Sequence, residues 1–160
     1  MAHDPMPDRQ ARGWSHCPPV WVPDDATFFI TINCKKRGEA PLYDPAVVRQ
    51  LFESMAFYHE QGRWVVELAL VMPDHLHALI SFRWDPGNGM MNLIRAWKRH
   101  TARHCGIAWQ RDYFDHRIRR EGDHQSTWFY IRENPVRVGL VANYEEWPHV
   151  WRPGHGLGWR

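Results

Sequence analysis

Disulfide chemistry is the first thing this sequence does not support. Its 160 residues include three cysteines, Cys17, Cys34 and Cys105. The number is odd and no CxxC spacing occurs, which argues against a disulfide framework and for a reducing compartment. Long apolar runs are missing too. None approaches the length needed to span a bilayer, and the opening MAHDPMPDRQARGW lacks the apolar segment of a signal peptide. A cytoplasmic protein with no membrane attachment is the expectation. Strong charge of one sign is also lacking, since a net charge of +2 does not announce a nucleic-acid partner by itself. No internal repeat or second domain is visible, and the length suits one domain with a single core.

What the sequence has in excess is tryptophan and histidine, ten and eleven residues respectively. Tryptophan supplies core area, and also flat faces on which unpaired bases stack. Residues 1–26 hold five prolines among polar residues and read as an irregular arm ending in a packed anchor at Trp21. TFFITINC (27–34) is β-branched and aromatic, hence a strand. From Pro45 to Gln61, Val47, Val48, Leu51, Phe52, Met55 and Tyr58 recur at helical spacing, with Gly62 as the stop. Strands are expected over 63–72 and 75–83, joined by the turn pair Pro73-Asp74 into a hairpin. DPGNG (85–89) is a loop, 90–105 a helix and 107–118 a fourth strand. A helix over 123–133 should break at Asn134-Pro135 and restart, and 152–160 reads as a loose tail. The order strand–helix–strand–strand–helix–strand is that of the ferredoxin-like split unit. This predicts an α+β fold with an antiparallel sheet, helices on one face, and an extra C-terminal helix. The domain should span 27–151, and the sheet's other face should be free to hold a substrate.

LVMPDHLHALISF (70–82) places His75 and His77 one residue apart in an apolar strand. Alternation puts His75, His77, Leu79 and Ser81 on one face, and Leu76, Ala78, Ile80 and Phe82 on the other. The fully apolar set must face the core, so the histidines are expected to point away from it and to remain exposed. Residues i and i+2 on a strand lie about 6.5 Å apart, close enough for two imidazoles to grip one metal ion. Two ligands leave positions open for substrate oxygens. Spacing alone proves little, because about 0.7 HxH pairs arise by chance at this histidine content.

His100 and His104 form a second pair, one helical turn apart on MNLIRAWKRHTARHC (91–105). No HExxH glutamate accompanies them, so a polar helix edge is the simpler reading. On the same helix Arg95, Lys98, Arg99 and Arg103 form a cationic face suited to a phosphate backbone, or simply a solvated face. Tyr130 and Asn134 stand four apart, on one helical face. Tyr130 could attack a phosphate held by a metal, with Asn134 adding an oxygen ligand. Equally, Tyr130 is one aromatic among several, and Asn134 an N-cap before Pro135.

VMPDHLHALISF, WKRHTARH, WQRDYFDHRIRREGDH and YIRENPVRVGLVANYEEWPHVW, in that order, resemble the successive motifs of the single-tyrosine HUH transposases. Within these the likeness is to the REP-associated tyrosine transposases, over about residues 27–151. The resemblance implies that His75 and His77 hold a divalent ion, Mg2+ or Mn2+, that Tyr130 is the nucleophile, and that Asn134 completes the metal site. It also implies a ferredoxin-like sheet, in agreement with the element order. The implied reaction is transesterification on single-stranded DNA beside short palindromic hairpins. Tyr130 would form a 5′-phosphotyrosine link and leave a 3′-hydroxyl able to reverse the step. Arg95, Lys98, Arg99, Arg103, Arg117, Arg119 and Arg120 are the candidate backbone contacts. Asp74 departs from the family's usual asparagine; a carboxylate there either orients His75 as a hydrogen-bond acceptor or caps the turn, and the turn role is favoured. Both monomers and dimers that exchange tyrosine helices occur among relatives. Two other readings stay open: a hairpin-binding protein without important catalysis, and a metal-dependent phosphodiesterase in which Tyr130 is structural.

Overall fold

Asp44 starts the first helix by accepting a hydrogen bond from the Ala46 amide at 2.8 Å, with Pro45 as the first helical residue. This helix, α1 (Pro45–Glu60), follows strand β1 (Thr27–Asn33) and precedes the hairpin β2 (Trp64–Met72) and β3 (His75–Phe82). Then come α2 (Met90–Cys105), β4 (Phe114–Arg117), α3 (Glu121–Arg137), a short 3-10 turn (Tyr144–Glu146) and β5 (Val150–Trp151). The structure, a computed structural model, describes residues 26–36, 38–39, 41–83 and 89–159. The expected arm with its Trp21 anchor, and nearly all of the DPGNG loop, lie outside the described residues.

The five strands pair in the order β4-β1-β3-β2-β5, and every pairing is antiparallel. Ferredoxin-like topology is therefore observed, with β5 added at one edge. Helices α1 and α2 cover one face. Their apolar stripes, Val48, Leu51, Phe52, Met55 and Leu93, Ile94, Trp97, pack on Phe28, Ile30, Ile32, Leu76, Ala78 and Ile80 of the sheet. Two of the tryptophans belong to this core: Trp64 donates to the Met55 carbonyl at 3.0 Å and Trp97 to Ser54 Oγ at 2.8 Å. Among the described residues no helix is long and apolar enough to cross a membrane.

The opposite face is not free, as expected, but is covered by α3. Ile131 joins Phe29, Leu68, Leu70, Met72, Leu79, Trp147 and Val150 in a second buried cluster. Burial on both faces explains why the strands read as nearly continuous apolar runs.

Three local expectations are corrected. The strand foreseen over 107–118 exists in two pieces. Ala108 and Gln110 bond to Lys35 and Asn33, then the ladder resumes at Phe114. Between them the carbonyls of Gln110, Arg111 and Asp112 turn toward the Lys98 ammonium, at 2.7, 2.8 and 3.4 Å. Helix α3 does not break at Asn134-Pro135. Pro135 lies inside it, buried in the last turn, so the proline removes one donor near an end that is about to terminate anyway. The stop comes at Gly139, whose φ is +75°. There the Leu140 amide donates to the Pro135 carbonyl and the Gly139 amide to the Val136 carbonyl, a Schellman closure. The tail is also not loose: Trp151 bridges Leu157, and the Gly158 amide donates to the Val150 carbonyl at 2.8 Å.

No atom stands within 4 Å of a Cβ added at Gly139, so its substitution is penalised by backbone conformation alone. Gly139→Ala is therefore expected to destabilise the protein by about 1–2 kcal/mol, a few degrees in a thermal melt. An unchanged melting temperature would contradict the left-handed stop.

Candidate functional site

Register builds the site. In the pairing of β1 with β3, Asn33 lies opposite His75 and Thr31 opposite His77. Both histidines project to the α3 side, as alternation predicts. They are not exposed, however. His77 is 1% exposed, because Phe29 at 5.3 Å and Tyr130 at 5.9 Å (ring centroids) close over it. Imidazole tolerates this because its ring nitrogens are partnered. His77 Nδ1 meets Thr31 Oγ1 at 2.9 Å, and His75 Nδ1 meets Asp74 Oδ1 at 2.6 Å. The turn role favoured for Asp74 is thus incomplete, since its carboxylate also orients His75.

A carboxylate only accepts, so His75 Nδ1 carries the hydrogen, and whenever the ring is neutral its lone pair is on Nε2. That lone pair faces His77 Nε2 across 3.1 Å. When Thr31 accepts from His77 Nδ1–H, two lone pairs converge, which is repulsive unless a proton or cation lies between them. Two cis ligands of an octahedral ion at about 2.1 Å stand about 3.0 Å apart. The pair therefore fits a hard divalent ion. Among the described residues no third His, Cys, Asp or Glu completes a metal-binding group. Asn134, 7% exposed and one turn beyond Tyr130 on α3, carries a neutral amide oxygen able to serve as a further ligand. It is not an N-cap, because the helix runs through it.

Tyr130 packs edge-on to Phe29 at 5.9 Å, and the Arg137 guanidinium lies 5.3 Å from its ring. Arg137 was not singled out from the sequence. Its signal is the seven-residue spacing from Tyr130, two turns on one helix, legible only if the helix is continuous through Pro135. Thr31 was missed for a different reason: nothing but sheet register brings it to His77.

The start of α3 has no side-chain cap. Its first turns are held instead by a β-bulge in β2, where the register shifts between Val66 and Leu68. The extra residue, Glu67, reaches His124 Nε2 at 2.6 Å and accepts from Thr27 Oγ1 at 3.1 Å. Bulges re-aim side chains in this way, and this one ties the tyrosine helix to its own sheet.

The candidate DNA contacts separate. Lys98 is excluded: it is 8% exposed and occupied by three carbonyls, and burial lowers its pKa. Arg95, Arg99 and Arg103 are exposed, but α2 lies on the opposite side of the sheet from the histidine pair. Arg117 shares the α1/α2 side through its pairing with Phe28, and its Nε is buried. Arg119 and Arg120 are exposed between β4 and α3. His100 and His104 stack on each other at 4.1 Å on α2, with His104 Nδ1 against the His100 carbonyl. They are a helix edge, remote from the site.

Groups that hydrogen-bond a metal-binding imidazole typically change metal affinity 10–100-fold when removed, and Asp74 and Thr31 stand where such groups would. Asp74→Ala and Thr31→Val are each expected to weaken Mn2+ binding by about that factor. Titration calorimetry of each variant against the parent is the check, and parental affinity in both would remove the orienting role.

No family model matches the chain. It is 25% identical to the REP-associated tyrosine transposase of Escherichia coli strain K12 over 127 residues, covering 76% of this chain and 73% of the relative. Among solved structures, that of a REP-associated tyrosine transposase bound to a REP hairpin superposes with a TM-score of 0.71 at 23% identity, covering 86% of this chain and 82% of that one. The chain is thus similar to REP-associated tyrosine transposases in sequence and in fold.

Proposed function

We propose that this chain, with its likeness to REP-associated tyrosine transposases, is a single-stranded DNA nicking and joining enzyme that acts beside DNA hairpins. The observation that carries the reading is one geometry within one chain: two convergent imidazole Nε2 atoms 3.1 Å apart, with the Tyr130 ring 5.9 Å from the His77 ring. A phosphate that reaches the histidine pair lies beside the Tyr130 ring. Because α3 packs on its own sheet, one chain supplies the whole set, and a monomer suffices.

His75, His77 and Asn134 would hold Mg2+ or Mn2+, which would supply charge neutralisation at the scissile phosphate's non-bridging oxygens. Asp74 and Thr31 fix the two rings so that both Nε2 atoms aim at one point. Tyr130 Oη forms a bond to phosphorus and releases its proton to water. The bond from phosphorus to the 3′-oxygen breaks, and that oxygen takes up a proton. The products are a 5′-phosphotyrosine and a 3′-hydroxyl, with the number of phosphoester bonds conserved. Attack by a 3′-hydroxyl on the same phosphorus reverses the step, so strands are rejoined without ATP. Arg137, against the Tyr130 ring, supplies a cation to the phosphate during attack. The exposed Arg119 and Arg120 fit backbone contacts to the hairpin, and Arg95, Arg99 and Arg103 fit contacts to DNA that wraps the far side. DNA as substrate supports a cytoplasmic location.

The test is incubation of the protein with a labelled DNA hairpin carrying a single-stranded arm, with Mg2+ or Mn2+. A covalent protein–DNA adduct supports strand transfer. Tight binding with neither adduct nor cleavage would leave a hairpin-binding protein. Cleavage that survives loss of the Tyr130 hydroxyl would make the chain a phosphodiesterase with a structural tyrosine.

A further inference from the structure

The β4 edge of the site is open where the rest is closed. Helix α3 packs over β2 and β3, and Tyr130 reaches as far as Phe29 on β1. Beyond β1 lies β4. Directly opposed residues of antiparallel strands project to the same face. His77 lies opposite Thr31, and Thr31 opposite Phe114. Phe114 therefore stands in the same row and on the same face as His77, two strand spacings away, about 9.6 Å.

Phe114 is 44% exposed. Its ring meets the buried Phe29 at 6.0 Å, and Phe29 in turn meets both Tyr130 and His77. A lone exposed phenylalanine is ordinary on a protein surface. This one ends an unbroken aromatic row that begins at the histidine pair. Arg137, exposed, lies against the Tyr130 ring that Phe29 also meets. A single ring is too small for a protein interface, and the Arg137 cation beside Tyr130 complements a nucleotide strand.

We propose that Phe114 is the platform on which an unpaired DNA base stacks, next to the phosphate that Tyr130 attacks. The inference rests on the proposed function and extends it, naming where the single-stranded arm leaves the site. Stacking on a phenyl ring uses the face common to all bases, so this subsite is tolerant of sequence. Discrimination between DNA sequences then has to come from other contacts.

Binding measured without metal isolates this subsite from the chemistry. Hairpins carrying 2-aminopurine at successive positions of the arm are titrated with the full chain in EDTA. Quenching is expected at one arm position beside the cleavage point. Phe114→Leu, which keeps apolar bulk at a half-exposed position, is expected to abolish that quench and weaken binding of the armed hairpin about 10-fold. It should leave the blunt hairpin's affinity unchanged, and Phe114→Trp should restore both signals. Unchanged quench and affinity in Phe114→Leu, in a protein that still forms the adduct, overturns the platform and leaves the function standing. A parent chain that neither binds hairpins nor forms an adduct overturns both.

Discussion

Tyr130→Phe is expected to eliminate the covalent protein–DNA adduct, a fall of about 10⁴-fold or more in its rate of formation, the scale seen when a nucleophile is deleted. The substitution removes one oxygen. The ring keeps its edge contact with Phe29, its place over His77 and the Arg137 guanidinium. Melting temperature and hairpin affinity should therefore match those of the parent. The measurement is a denaturing gel of labelled hairpin after incubation with Mn2+, in parallel with a binding titration. Undiminished adduct in the variant would place the nucleophile elsewhere. Lost hairpin binding would instead give the hydroxyl a structural role that the geometry does not support.

His77→Ala is expected to act on both chemistry and stability. It deletes one of two converging nitrogens, so Mn2+ affinity and adduct formation should fall by at least the roughly 100-fold that outer-sphere changes reach. The ring is also buried, between Phe29, Tyr130 and Thr31. Its loss leaves a cavity and strands the Thr31 hydroxyl, about 1–3 kcal/mol in a denaturant melt. His75, by comparison, lies at the partly exposed margin of the site. His75→Ala should match the chemical defect with a smaller loss of stability. Equal destabilisation by the two variants would contradict the burial described for His77. A His77→Ala protein that still binds Mn2+ like the parent would remove the metal site itself.

The element order was legible because each segment carries its own period. The helical stripe from Val48 to Tyr58, the alternation of His75 to Phe82, and the glycine stops after α1 and α2 are local properties. They survive whatever packs around them. Misreadings arose where a distant group decided a local conformation. Lys98, twelve to fourteen residues away, draws three carbonyls out of the β4 ladder. Pro135 stays helical because it is buried in the final turn, with Gly139 closing the end. Read locally, each of these sequences says the opposite.

The site divides in the same way. His75, His77, Tyr130 and Asn134 were nameable from their spacing and from their resemblance to a transposase motif, and alternation alone assigned the histidines to the correct face. Their burial was not readable, because it depends on α3 lying across that face. Thr31 on Nδ1, Glu67 of the bulge on His124 and Arg137 on Tyr130 were equally out of reach, whereas the Asp74 carboxylate on His75 was the less favoured of two readings. Sequence by itself nominated the side chains proposed to carry the chemistry, since period and residue type are written along the chain. Tertiary structure alone decided which groups orient them, which cations are free to meet DNA, and where the site opens. Those depend on register between strands and on the docking of one helix, and neither is a property of any short stretch.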